Sequence, residues 1–177
     1  MQSEMTSMND FQVYDEVPIS NLSPEEVASA VSSRWVITWK GTWVKCRLVA
    51  RGFEQIITDV DDTYASAPVF VIMKVLIAIA LALQWCIMTC DVSTAFLHAD
   101  LDEATPLFMW PPKEYYPQGG ILWRLKKAMC GLKGAPRAWQ EHFASTLQSL
   151  GFTRLRSDAN VYVHFQFMIV ILAYVMI

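Results

Sequence analysis

The chain has 177 residues, 54% hydrophobic and 18% charged, which excludes a disordered chain and leaves room for one cored domain or two small subdomains. The net charge of −3 hides an uneven distribution: residues 1–33 carry six acids and no base, while blocks 34–51 and 121–137 hold ten of the fourteen basic residues and no acid. Such blocks can offer phosphate contacts, although on charge alone ordinary solvated faces are the favoured reading.

Four cysteines, Cys46, Cys86, Cys90 and Cys130, show neither zinc-type pairing nor disulfide-scaffold density. The start is polar and acidic, unlike a secretory signal, so an intracellular compartment, cytoplasmic or nuclear, is expected. The apolar runs 67–83 and 167–177 are shorter than the roughly 20 residues of a membrane span, so buried core elements are expected rather than a membrane protein.

Taken in chain order, Ser23-Pro24-Glu25-Glu26 has the form of a capping box that opens a short helix ending near Ser33. Residues 35–39 and 43–50 read as strands joined by a tight turn at Lys40-Gly41-Thr42. Residues 58–66 are acidic and loop-like. Residues 68–83 are apolar nearly all round and predict a buried helix. Residues 85–92 predict a short strand ending on Asp91, and 93–101 a helix. Prolines and glycines from 106 to 120 mark an irregular stretch, with a further strand at 121–125. Residues 136–150 predict a helix with Trp139, Phe143, Leu147 and Leu150 on one face and Gly151 as its stop. Residues 160–166 and 167–175 predict two strands. Mixed hairpins and helices point to an α+β fold.

Three features could carry chemistry. Asp91 at a strand end could hold a divalent cation, although capping the following helix is the favoured reading of that residue alone. Lys45, Arg47 and Arg51 alternate, which would place them on one face where they could grip phosphates, or form an exposed hairpin face. Gly131-Leu132-Lys133-Gly134-Ala135-Pro136 is a glycine-rich turn entering a helix, with Lys133 and Arg137 adding charge, but it lacks phosphate-loop spacing.

Together these segments resemble copia-type retrotransposon reverse transcriptases. The chain carries VKCRLVARGF at 44–53, DVDDTYASAPV at 59–69, CDVSTAFLHADL at 90–101, LWRLKKAMCGLKGAPRAW at 122–139 and LGFTRLRSDANVYV at 150–163. Family members carry patterns such as KARLVARGF, LDVKTAFL and LKKALYGLKQAPRAW in the same order. The resemblance implies a polymerase palm with partial fingers over residues 34–177, with residues 1–33 as an N-terminal extension. It implies RNA-directed DNA synthesis on an RNA or DNA primer–template from deoxynucleoside triphosphates, with two Mg²⁺ ions. Asp91 would be the first metal-binding and catalytic aspartate, with the Val92 carbonyl beside it. Phe96 would lie under the incoming sugar. Lys45 and Arg47 would meet the triphosphate. Cys130, Gly131 and Lys133 would line the nucleotide side of the palm. Arg51, Lys126, Lys127 and Arg137 would contact nucleic acid.

The family's paired aspartates should follow Tyr174-Val175, where Met176 and Ile177 stand instead. The fingers hairpin is short, Cys130 replaces a common aromatic, and Gly134 a glutamine. Thumb, ribonuclease H, protease and integrase regions are not found. The expectation is an element-encoded fragment, inactive as a polymerase. A non-catalytic nucleic-acid-binding remnant and a small membrane-associated protein are the competing readings.

Overall fold

In the computed structural model, residues 1–55, 65–66 and 70–174 are described. The fold is α+β, with four α-helices and antiparallel sheets among the described residues. The expected loop at 58–66, the first residues of the expected helix at 68–83, and Val175, Met176 and Ile177 lie largely or wholly outside the described residues.

The central sheet has the order β1-β5-β4 and joins β1 (Tyr14–Pro18), β5 (Ile121–Leu125) and β4 (Leu107–Met109). Strand β5 buries Leu122, Trp123 and Leu125 and exposes Arg124. Trp123 is fully buried. Its ring stacks on Tyr14 at 3.7 Å and meets Tyr116 edge-on at 5.7 Å. Burial and a hydrogen bond to Glu16 push the Tyr116 hydroxyl well above the ordinary phenol range. Helix α1 (Gln2–Asp10) adds Met5 and Met8 to the same core as Trp123, Leu48 and Met129. Val13 and Val31 join it, and the Val31 N–H donates to the Phe108 carbonyl at 3.0 Å. The first 33 residues, expected as an extension, therefore supply a strand and four core side chains.

The capping box forms as expected. Ser23 Oγ accepts from the Glu26 N–H and Glu26 Oε2 accepts from the Ser23 N–H, starting α2 (Pro24–Ser29). Strands β2 (Ser33–Lys40) and β3 (Trp43–Ala50) form the expected hairpin, with Lys40 opposite Trp43 and Gly41 turning at φ 64°. Helix α4 (Ala135–Ser149) buries Trp139 in the main core. Its Ala144 and Leu147 pack on Tyr162 in a second cluster, while Leu150 is exposed. The sheet β6-β7-β8 follows, built from Thr153–Arg154, Val161–His164 and Ile169–Leu172.

Three expectations change. Helix α3 (Phe70–Ala82) forms, but it is not buried: only Ala80 is fully enclosed, while Phe70, Val71 and Leu81 face outward. Apart from Lys74 the helix is apolar all round and selects almost no face, so its sequence could not say which side would be covered. Residues 85–92 are irregular rather than a strand, with Ile87 and Met88 exposed. Apolar composition favours a strand only where a neighbour completes the ladder, and no described strand pairs with this segment. The helix expected at 93–101 is reduced to one 3₁₀ turn at Ala95–His98, preceded by Thr94 at φ 51°. A β-branched residue in the left-handed region breaks the helical path there.

Candidate nucleic-acid interface

Strand β3 divides its side chains by parity. Cys46, Leu48 and Ala50 lie on one face, of which Leu48 and Ala50 are fully buried. Lys45 and Arg47 lie on the other, opposite Thr38 and Val36. Arg51 follows the end of the strand. Its N–H donates to the Ser32 carbonyl at 2.9 Å, and its guanidinium stands 3.9 Å from Glu54. Glu54 accepts from the Ser32 N–H at 2.7 Å and the Ser32 hydroxyl at 2.9 Å. Those bonds, with Arg51 nearby, hold its carboxyl below the usual carboxylate range.

The end of β3 receives the glycine-rich turn, almost eighty residues away in sequence. The Ala50 N–H donates to the Cys130 carbonyl at 2.9 Å, and the Gly52 N–H donates to the Gly131 carbonyl at 3.1 Å. Gly131 has φ 93°, a conformation that only glycine adopts cheaply. A Cβ there would overlap the Ala50 carbonyl and lie 2.6 Å from Val49 Cγ1. A Cβ on Gly52 would overlap the Gly131 carbonyl in return. Each glycine thus makes room for the other's backbone. Lys133 locks the far side: its N–H donates to Gln55 Oε1 at 2.8 Å and its ammonium to the Gln55 carbonyl at 2.9 Å.

The docking brings Cys130 under the field of β3. Burial pushes its thiol up, Arg47 and Lys45 pull it down, and Glu4 opposes them. Glu4 also accepts from the Leu48 N–H at 3.3 Å along the outer edge of β3. Hydrogen bonds thus dock the Cys130–Gly131 turn on the end of β3, with Arg47 and Lys45 within electrostatic reach of Cys130 and Lys133 bound to Gln55 on the far side of the contact. Gly52, Gln55 and Glu4, which complete it, were missed. The glycine of Arg51-Gly52-Phe53, standing where no turn is expected, was the available signal for a close backbone approach.

The second basic block is different. Lys126 is 2.6 Å from Asp15 and Lys127 is 2.5 Å from Asp100. Both pairs border a cavity of about 460 Å³ whose rim also includes Asp102, Glu103 and Arg124. The acids supplied by β1 and the 100–103 segment offset this block, so it is not a free cationic face. Arg137 forms an ion pair with Glu141 one turn along α4 at 3.0 Å.

Asp91 is exposed, in the irregular 85–92 segment rather than at a strand end. It does not cap the following turn either, since the residue at that position is Thr94. Among the described residues, no three His, Cys, Asp or Glu side chains converge on a metal-sized site. Val92 is exposed as well. Phe96, on the 3₁₀ turn, is half-buried against the main core. The same turn is wedged by His98, whose ring meets Phe11 at 4.7 Å and Trp139 at 6.1 Å.

A buried polar cluster ties the remaining elements together. Gln140 of α4 donates to Asn160 Oδ1 at 2.7 Å and to the Ser66 carbonyl at 3.1 Å. Asn160 donates to Asp158 Oδ1 at 3.1 Å and to Ser66 Oγ at 3.2 Å. None of these residues was singled out from the sequence.

No described helix is long and apolar enough to cross a membrane. No solved structure matches the chain significantly. Among curated proteins, the chain is 34% identical over 121 residues, 67% of its length, to the retrovirus-related Pol polyprotein from transposon TNT 1-94 of Nicotiana tabacum. It is 29% identical over 170 residues, 92% of its length, to the retrovirus-related Pol polyprotein from transposon RE2 of Arabidopsis thaliana. These matches cover 9% and 11% of the two polyproteins, so the chain spans about a tenth of their length. A family model described as "Reverse transcriptase (RNA-dependent DNA polymerase)" matches residues 15–176, and the chain belongs to that family.

Proposed function

We propose that this chain is the fingers-and-palm part of a copia-type reverse transcriptase that holds nucleic acid without catalysing DNA synthesis. One observation carries the binding half of this reading. The β3 strand and the glycine-rich turn, distant in sequence, are joined by hydrogen bonds, with Lys45 and Arg47 of β3 within electrostatic reach of Cys130. The partners proposed are a primer–template and a deoxynucleoside triphosphate, recognised first through their phosphates.

The catalytic half turns on the metal. The residues that the resemblance assigns to the metals do not fit a two-magnesium centre. Asp91 and the Val92 carbonyl offer one carboxylate and one neutral oxygen, and Met176-Ile177 occupy the positions where the paired aspartates are expected. Mg²⁺ gives up its waters reluctantly and needs more anionic oxygen than this set supplies. Contacts to bases, sugars and phosphates depend on other side chains and would survive that loss.

Primer extension and primer–template binding separate the two halves. The expected result is salt-sensitive binding, weakened by Lys45→Ala and Arg47→Ala, with no extension on an RNA template with Mg²⁺. Extension above background would overturn the proposed inactivity. Binding indifferent to salt and to both substitutions would overturn the interface.

A further inference from the structure

Helix α3 turns one side to the protein and the rest to water. Ile72, Met73 and Leu76 are half-buried and Ala80 is enclosed, which defines the inner side. Phe70 and Val71 are 61% exposed, Leu81 70% and Val75 49%. Among the described residues, none of its side chains joins either hydrophobic cluster. A contiguous apolar patch of this kind on a folded chain marks an interaction site.

The outer side has a pattern. Val71, Val75, Ala78 and Ala82 are all exposed and follow at steps of four, three and four residues, the spacing that aligns side chains in a seam along a helix. Phe70, Ile77 and Leu81 flank that seam. The one charge of the helix, Lys74, lies on the same flank, its ammonium 4.9 Å over the Phe70 ring. The bulkier members of the seam stand at one end and the small ones at the other. Two copies running antiparallel therefore set Val75 against Ala78 of the second copy and Val71 against Ala82, large on small at every step. We propose that α3 is a self-association face, through which two copies of this chain pair about a two-fold axis between Val75 and Ala78. The pairing goes beyond the nucleic-acid reading and does not rest on it.

Area and length select this occupant. A Val, Ile or Leu side chain carries roughly 100 Å² of apolar surface and a Phe about 200 Å². Scaled by exposure, with Ala78, Ala82 and the Lys74 stem added, the outer side offers roughly 450 Å² a copy and roughly 900 Å² for a pair. That is short of the roughly 1,600 Å² of a standard interface and falls in the range of weak, reversible association. A bilayer fits less well, because 13 residues of helix span about 20 Å against about 30 Å of hydrocarbon. A two-fold pair also closes on itself and leaves no seam to extend.

The test follows the intact chain by sedimentation velocity over a concentration series from low to high micromolar. A reversible equilibrium between one copy and two is expected, with no larger species. Val75→Glu and Ala78→Lys are each expected to weaken it about tenfold or more, since each buries an unpaired charge in the seam. Mixing the two variants is expected to restore a dimer, because the antiparallel register sets the two introduced charges against each other. Ile79→Glu, which removes a comparable apolar side chain from another side of the helix, is expected to leave the dimer intact.

A single copy at every concentration would overturn the proposal, as would growth beyond two. So would a dimer indifferent to Val75→Glu and Ala78→Lys, or one that Ile79→Glu destroys equally. Failure of the mixed variants to pair would overturn the antiparallel seam. Sedimentation with phosphatidylcholine vesicles in place of dimer formation would make the face lipid-directed and overturn it too. Should Val75→Glu lose its fold by circular dichroism, Ala78→Lys alone decides by the same criterion.

Discussion

Gly131→Ala tests whether the two family motifs meet backbone to backbone. The new methyl would enter a left-handed conformation, costing about 1–2 kcal/mol. It would also press on the Ala50 carbonyl and on Val49 Cγ1 at 2.6 Å. Backbone cannot rotate away as a side chain can, so overpacking adds about 1–3 kcal/mol. The expected loss is about 2–5 kcal/mol, a large share of the stability of an ordinary domain. Gly52→Ala lacks the dihedral penalty and should cost about 1–3 kcal/mol by steric pressure alone. Both substitutions force apart the same two segments, so the double variant should cost less than the sum. Gly134→Ala is the control, because nothing lies within 4 Å of its added Cβ. Urea denaturation followed by tryptophan fluorescence reads the four variants against the parent. If Gly131→Ala unfolds at the parent's urea midpoint, or if the two glycine effects simply add, the interlock is not the contact described.

Other consequences can be measured on the same preparation. Gln140→Leu should lose about 1–3 kcal/mol in urea denaturation, because it strips partners from buried Asn160 and from Ser66. Cys130 should be alkylated more slowly than exposed Cys86 and Cys90 in a mass-spectrometric time course at neutral pH, since burial raises its thiol. Its linkage sign follows: the folded thiol holds its proton longer than the unfolded one. Its contribution to stability is therefore full below the ordinary thiol pKa and is lost as pH rises above it. A Cys130→Ser variant should flatten that alkaline decline in pH-dependent denaturation. Leu81→Lys, on the outer face of α3, should leave the melting temperature nearly unchanged and reduce light scattering from aggregates.

Much of this protein was legible in the order of its residues. The capping box at Ser23 and Glu26, the hairpin around Gly41 and the helix 135–149 are local features, set by dihedral preference, caps and periodicity over a few residues. The motif series from Arg47 to Val163 identified the family for the same reason, since it is a property of the string. Tertiary structure decided what depends on distant partners. Strand β1 exists because β5 offers it a ladder, and residues 85–92 lack one despite their composition. Helix α3 is apolar nearly all round, with Lys74 the exception, so its neighbours determined that most of it would face outward. Charge behaved likewise. The two basic blocks look equivalent in sequence, yet Asp15 and Asp100 offset the second, while the face of β3 keeps Lys45 and Arg47 beside the docked glycine turn.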